Sequence, residues 1–277
     1  MQCKYREKLI YAGDMIFGSV YPVYRKAGIR RGKYRETSEI QKKLNERKSR
    51  ERLTWTIHTN FGKGDIALHM SYADTNLPET EEQMERDTKN YIRRIGRLYR
   101  KAGICLKYVY VTEYSENGRP HVHMILSGGV DRDTLENAWG LGYCNADRLQ
   151  FNECGVIDLS RYMMKQERAK GRRRYCTSRN LDKPVERTNV HTWSRKQLEE
   201  IADAGNPHKR FADTYPGYWL SEFPNVEKNG VNGGVYMTFT MHKPDGENLA
   251  WYRKKAWKGG IPDKIREGKQ KEGYSPS

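Results

Sequence analysis

The spacing of apolar residues predicts several helices along the chain. The clearest runs over 79–102, where apolar residues recur every three or four positions, the first turn is acidic and the last turn is basic. Shorter helices are predicted over 131–139, 158–170 and 194–204. We expect Trp139, at the end of the second of these, to pack into the core rather than stack on a nucleobase.

Strands are predicted where apolar and polar residues alternate or where β-branched and aromatic residues cluster. The segments are 5–24, a short hairpin turning at Gly13-Asp14, then 53–60, 108–114, 119–126, 143–151 and 234–242. We expect 53–60 to lie centrally in one sheet and 234–242 to join that sheet. His58, within 53–60, is expected to be structural, on a strand that borders the active site.

The strongest candidate chemistry lies in the hairpin predicted over 108–126 (YVYVTEYSENGRPHVHMIL). The Asn-Gly pair at 117–118 favours a tight two-residue turn. Because side chains alternate across a strand, His121 and His123 share one face, and this turn places Glu113 roughly opposite His121. Two imidazoles and one carboxylate on a rigid sheet are a plausible site for one divalent metal ion.

The sequence leaves alternatives to this metal site open. A His-x-His pair in a strand is commonly solvated or hydrogen-bonded without a metal, and Glu116 replaces Glu113 if the hairpin register differs. A zinc site at Cys144 and Cys154 is a weaker alternative. The five cysteines are odd in number and have no C-x-x-C spacing, which is typical of free cytosolic thiols.

A second candidate group lies on the helix predicted over 158–170. Tyr162 and Lys165 stand three residues apart and therefore share one helix face. A phenol, with a reference pKa of about 10, is a poor nucleophile at neutral pH. Its attack on a DNA phosphodiester needs a divalent cation, a positive field around the phenol and a flexible single strand. The hairpin histidines and Lys165 are candidates for the first two requirements.

The charge of the chain indicates a polyanionic partner. The formal net charge is +16, and such charge attracts phosphates irrespective of sequence. The basic segment 27–52 is either a solvated helix, capped at Thr37-Ser38 and reaching Lys48, or an arm that contacts DNA. In the second basic segment, 171–181 (GRRRYCTSRNL), and beside the histidines, we expect DNA contacts from Arg119, Arg172, Arg173, Arg174, Tyr175, Ser178 and Arg179.

Together these residues resemble the HUH endonucleases, in particular the rolling-circle replication initiators (Rep proteins) of phages and bacterial plasmids. The matching pieces are RPHVHMIL at 119–126, Glu113 upstream, RYMMK at 161–165 and RYCTSRNL at 174–181. The resemblance spans about residues 53–185.

The resemblance implies an α+β fold, in which an antiparallel sheet of about five strands is flanked by helices, as in ferredoxin-like and RNA-recognition folds. The endonuclease core would occupy 53–185. Residues 1–52 would form an extension with a short hairpin and a basic arm. Residues 186–277 would add a strand near 234–242 and a basic tail.

The resemblance also implies a role for each matching residue. His121 and His123 would bind one Mg²⁺ or Mn²⁺ ion, with Glu113 as the third ligand. Tyr162 would become linked to the 5′ phosphate of single-stranded origin DNA, leaving a 3′ hydroxyl for a polymerase. Lys165 would assist at the phosphate or the metal. Some relatives carry a second tyrosine one helical turn later; this chain does not, so it resembles a single-tyrosine enzyme.

The sequence predicts a cytoplasmic protein of a bacterial host. No apolar signal-peptide core opens the chain, and no long apolar run indicates a membrane. The G-x-x-x-x-G-K-[ST] loop of nucleotide-driven helicases is absent, so we expect the protein to recruit a host helicase as well as a host polymerase.

Two other kinds of function compete with replication initiation. One is a related enzyme, of which a single-tyrosine HUH transposase is typically shorter than this chain and a conjugative relaxase usually places its tyrosine before the histidines. The other is a non-catalytic module that binds single-stranded DNA. Binding by such a module would be salt-sensitive, would survive the loss of His121 and His123, and would produce no cleavage.

Overall fold

The computed structural model describes residues 4–23, 39–115, 117–152, 154–156, 163, 174–190, 192–203, 206–230 and 233–244. The chain divides into two compact units, one formed by 36–183 and the other by 1–35 together with 184–277. Each unit contains an antiparallel sheet of five or six strands flanked by helices. The predicted α+β fold is therefore confirmed, and it is consistent with an HUH endonuclease. Over these described ranges, no helix has the length and apolar character needed to cross a membrane.

The described strands are β1 (Lys4–Ala12), β2 (Met15–Val23), β3 (Ile66–Ser71), β4 (Tyr108–Tyr114), β5 (Pro120–Leu126), β6 (Cys144–Arg148), β7 (Cys176–Thr177), β8 (Val185–Val190), β9 (Trp219–Leu220), β10 (Asn225–Lys228) and β11 (Val235–His242). The described helices are α1 (Glu39–Asn60), α2 (Glu81–Lys101), α3 (Arg132–Asn137), α4 (Arg195–Asp203) and α5 (His208–Thr214), with a 3₁₀ turn at Asp74–Asn76.

The unit formed by 36–183 is built on a five-stranded sheet in the order β6-β3-β5-β4-β7. Alternate residues of β5 face opposite sides, so Val122, Met124 and Leu126 pack with the buried stripe of α2. On the other side, Ile125 packs with Leu53 from α1. The sheet is therefore covered on both faces, and its central strands are held rigidly.

Helix α2 confirms the strongest helix prediction. The Thr80 side chain caps its start by accepting a hydrogen bond from the Gln83 backbone N–H at 3.2 Å. The predicted short helix is α3, in which the Asp131 carboxylate accepts from the Thr134 N–H at 3.0 Å. Trp139 is buried in the core, as expected.

The predicted strand over 53–60 is wrong, because these residues form the last turns of α1. Leu53 and Ile57, four residues apart, are both fully buried on one side of this helix. The threonines that suggested a strand return their hydroxyls to the helix backbone; for example, Thr56 donates to the Arg52 carbonyl at 2.8 Å. The helix predicted to reach Lys48 therefore continues to Asn60, across the boundary placed at residue 52.

The other unit contains a six-stranded sheet in the order β10-β11-β2-β1-β8, with β9 paired to β11. The hairpin predicted over 5–24 is confirmed as β1 and β2. The strand predicted over 234–242 is confirmed as β11, but its predicted place is wrong because it pairs with β2 in this second sheet. Strand β8 lies in a stretch that the sequence suggested was irregular, and α4 matches the helix predicted over 194–204.

Candidate metal centre

Neighbouring strands of the five-stranded sheet place polar side chains together on one face. Antiparallel pairing sets His121 on β5 opposite Glu113 on β4, which confirms the register predicted from the Asn-Gly turn. In the next row of this face, His123 lies opposite His69 on β3. His69 in turn lies opposite Asn145 on β6. The sheet thus brings together a carboxylate and three imidazoles from three strands.

The functional atoms of this cluster converge closely. Glu113 Oε1 lies 3.0 Å from His121 Nε2 and 2.9 Å from His123 Nε2. The His69 ring stacks on the His123 ring, with centroids 4.8 Å apart and an 18° angle between planes. The possible ligand atoms of the three histidines all lie within 4.8 Å of one another. Small side-chain rotations are enough to direct them at one ion, so the His cluster can bind a metal.

The cluster is closed on one side and open on the other. His123 and Glu113 are buried, with 6% and 9% of their surface exposed, whereas His121 is half-buried and His69 is exposed. The buried pair is held by the sheet on which it sits. A large anionic ligand can approach only from the side of His69 and His121.

The electrostatics of the cluster keep its donors available. Burial alone would raise the pKa of Glu113, but hydrogen bonds from His121 and His123 outweigh it and lower that pKa to about 2. The hydrogen bond to Glu113 raises the pKa of His121. Burial, with help from the two neighbouring imidazoles, lowers the pKa of His69. Glu113 is therefore ionised at neutral pH, while His69 favours the neutral form that a metal requires.

His69 is the cluster member that the sequence prediction missed. The signal was present, because residues 66–71 (IALHMS) alternate like a strand and place His69 on the same face as Ala67. No local pattern, however, pairs β3 with β5 across more than 50 residues of chain. The missing information was the long-range strand pairing.

Several predicted DNA-contacting residues have contacts within the protein. The Arg119 guanidinium forms an ion pair with Asp74 at 2.6 Å and donates to the Tyr72 carbonyl at 3.2 Å. Arg174 forms an ion pair with Glu46 on α1. Both arginines are thus positioned by acidic partners, and their predicted contacts with DNA stay predictions.

The short strand β7 engages the rest of the 174–181 segment. Ser178 is buried; its hydroxyl accepts from the Tyr108 N–H at 3.1 Å, and its own N–H donates to the Tyr108 carbonyl at 2.9 Å. Tyr175 packs against the core beside α1, and Arg179 is exposed. The remaining predicted site residues and the alternative ligand lie outside the described residues: Tyr162, Lys165, Arg172, Arg173 and Glu116.

Met163, the sequence neighbour of Tyr162, is described and is fully buried. It belongs to the core on the α1 side of the sheet, together with Ile125. It also lines a cavity with His69 and His123. The segment that carries the predicted nucleophile therefore touches the histidine face of the sheet at this residue.

Residues 65–167 match the model of a family of replication-associated proteins, the ORF2 family. The matched span contains β3 to β6, all three clustered histidines and Glu113. The resemblance to Rep proteins is therefore confirmed: this segment is similar to replication-associated proteins of rolling-circle type. No curated protein and no solved structure matches the chain significantly.

Proposed function

We propose that the protein initiates rolling-circle replication by nicking and rejoining single-stranded origin DNA through a 5′-phosphotyrosine at Tyr162. The observation that carries the proposal is the cluster of His69, His121, His123 and Glu113 within the segment similar to Rep proteins. A replication-associated protein acts on DNA, and the net charge of +16 suits that partner. In the proposal, residues 53–185 form the endonuclease core.

The donor set fits one divalent cation. His121, His123 and Glu113 are the ligands expected from the sequence, and His69 adds a third imidazole within the same 4.8 Å cluster. The proposed ion is Mn²⁺ or Mg²⁺, and the additional nitrogen donor favours Mn²⁺, because Mg²⁺ prefers oxygen ligands in octahedral geometry. When bound, the ion polarises the phosphoryl oxygen as a Lewis acid.

The proposed covalent step exchanges one phosphoester for another. The Tyr162 oxygen bonds to phosphorus, and the bond from phosphorus to the 3′ oxygen breaks. The phenolic proton is balanced by the proton that the leaving 3′ oxygen takes up. Lys165 places positive charge beside the phosphate. Because the phosphotyrosine ester conserves the energy of the broken bond, the reverse reaction rejoins the strand.

The product explains the proposed partners. The free 3′ hydroxyl primes a host polymerase, and a host helicase opens the duplex ahead of it. Such a reaction belongs in the cytoplasm of a bacterium that carries the phage or plasmid.

The test is incubation with labelled single-stranded DNA from the protein's own replicon and Mn²⁺, followed by a denaturing gel. We expect a covalent adduct with the wild-type protein, none with Tyr162→Phe and none with a chelator. Tyr143→Phe, at an exposed tyrosine of the same unit, is the matched control and should retain the adduct. An adduct that persists in Tyr162→Phe would show that the nucleophile is wrong.

The same assay separates the competing functions. Salt-sensitive DNA binding that survives His121→Ala/His123→Ala, with no cleavage by the wild-type protein, would indicate a non-catalytic binding module. Strand transfer between two hairpin ends, without a replication product, would indicate a transposase.

A further inference from the structure

A cavity of about 280 Å³ lies beside the histidine cluster on the same face of the sheet. Its volume is near the lower end, about 300 Å³, of small-molecule sites, which suits one planar heterocycle. The described residues that give it chemical character are Ala67, His69, Ile125, Asn145, Asp147 and Met163. None of the proposed nicking chemistry uses Asn145 or Asp147.

The cavity has a buried apolar floor and an exposed polar edge. Ile125 and Met163 are buried, whereas Asp147 is exposed and Asn145 is half-buried. Both polar residues lie on β6, and their strand partners on β3 are His69 for Asn145 and Ala67 for Asp147. The polar edge is therefore aligned with the histidine row by the pairing of the strands.

The two polar side chains present a defined pattern of donors and acceptors. Asn145 Nδ2 donates to Asp147 Oδ2 at 2.6 Å, which fixes the two groups relative to each other. The carboxylate of Asp147 keeps lone pairs for two further donors, and Asn145 keeps one amide N–H for an acceptor. The edge thus offers two acceptor positions next to one donor.

Among the four DNA bases, only guanine matches this pattern on its Watson–Crick edge. Guanine presents two adjacent donors, N1–H and N2–H, followed by the acceptor O6. Thymine has one donor between two acceptors, and cytosine and adenine each have one donor group at the end of the edge. A carboxylate can accept both guanine donors at once, in the manner of paired hydrogen bonds.

We propose that this cavity binds a single unpaired guanine of the DNA strand, next to the phosphate to be cleaved. Asp147 accepts from N1–H and N2–H, and Asn145 donates to O6. Ile125 and Met163 contact the base face, where a thioether packs well against an aromatic ring. The Watson–Crick edge is free only in a single strand, so the site also rejects duplex. This inference rests on the proposed nicking function and supplies its base preference.

The test observes the cavity directly and needs neither metal nor cleavage. The full chain is labelled at its methionine methyl groups, and the Met163 resonance is assigned by comparison with Met163→Leu. The protein is then titrated with dGMP, dAMP, dCMP and TMP while NMR spectra are recorded. We expect dGMP to shift the Met163 resonance at a concentration at least about tenfold below that of the other nucleotides, as one bidentate base contact allows.

Variants connect the preference to the polar edge. Asp147→Asn should remove the preference for dGMP, Asn145→Ala should weaken it, and the matched control Asp213→Asn, an exposed acid of the other unit, should retain it. Equal shifts with all four nucleotides, no shift of Met163, or a preference unchanged in Asp147→Asn would each overturn the proposal. Guanine selectivity without a Tyr162 adduct would instead refute only the nicking function.

Discussion

His69 supplies the imidazole that extends the cluster from two histidines to three. If it acts as a ligand, His69→Ala removes a nitrogen donor and should raise the Kd for Mn²⁺ by at least about tenfold, as changes around metal sites commonly do. The effect on Mg²⁺ should be smaller, because Mg²⁺ depends on oxygen ligands. Titration followed by the EPR signal of free Mn²⁺ measures both, the second by competition. His208→Gln, in the other unit, is the control; unchanged Mn²⁺ affinity in His69→Ala would exclude His69 as a ligand.

His58 makes the stability of its unit depend on pH. Burial lowers its pKa from 6.5 to about 4, and its Nε2 accepts a hydrogen bond from the Val156 N–H at 3.3 Å. Because the folded-state pKa lies below the unfolded one, the unfolded chain binds more protons as pH falls from 6.5 towards 4. The stabilisation is complete above pH 6.5. This residue alone should lower the free energy of unfolding by about 2 kcal/mol between pH 7 and pH 5.

Urea unfolding of wild type and His58→Gln at several pH values isolates this contribution. The glutamine oxygen can accept the same Val156 hydrogen bond but does not titrate. The variant should therefore lose less stability than wild type on acidification. Parallel pH profiles for the two proteins would contradict the assignment of a buried neutral imidazole.

At the residue scale, local patterns predicted part of the cluster. Strand alternation and the Asn-Gly turn were enough to place Glu113, His121 and His123 on one face, because all three lie within one hairpin. His69 could not be placed, since its neighbours are determined by the pairing of distant strands. Asp147 and Asn145 reach the same face through β3 and were missed for the same reason.

At the element scale, α1 is the clearest failure of sequence prediction. Its buried positions are few, and its β-branched threonines and one tryptophan suggested a strand; its hydrophobic face becomes evident only from the sheet it covers. By contrast, α2 carries a complete apolar stripe and charged ends, so its prediction needed no tertiary information. Segments whose own pattern is decisive were predicted, whereas segments that depend on partners were not.

The exposed face of α1 carries bases that suit phosphates: Lys42, Lys43, Arg47, Lys48, Arg50 and Arg52. If the helix contacts DNA, Lys43→Gln/Lys48→Gln should weaken binding to single-stranded DNA. The slope of log K against log salt should decrease in magnitude by about 0.7 for each phosphate that the variant no longer neutralises. Fluorescence anisotropy over a salt series measures this slope. Lys196→Gln/Lys209→Gln, on exposed helix positions of the other unit, is the control; identical slopes in all three proteins would assign α1 to the solvated alternative.

At the scale of the whole molecule, each unit has its own core. The two core clusters around the five-stranded sheet draw their described residues from 53–181, and the cluster of the second sheet draws its residues from 5–20 and 193–241, with partly buried neighbours in the same unit. The second sheet was missed because it joins the two ends of the chain, a pairing that no local pattern reveals.

Separate cores predict that residues 36–183 fold without the rest of the chain. The fragment should unfold in one cooperative thermal transition by circular dichroism and should bind Mn²⁺ with the affinity of the full chain, because every member of the histidine cluster lies within it. The same fragment with His121→Ala/His123→Ala controls for non-specific metal binding. A fragment that lacks a cooperative transition would show that the second unit is required for folding.

The proposed chemistry depends on a phenol that attacks DNA beside the histidine cluster, and the position of the covalent bond tests this most directly. The adduct formed with single-stranded origin DNA and Mn²⁺ is digested with nuclease and trypsin, and the modified peptide is sequenced by mass spectrometry. We predict that the nucleotide is attached to Tyr162 in the tryptic peptide YMMK, residues 162–165. A nucleotide on any other residue, or a cleaved strand with no protein attached, would contradict the mechanism.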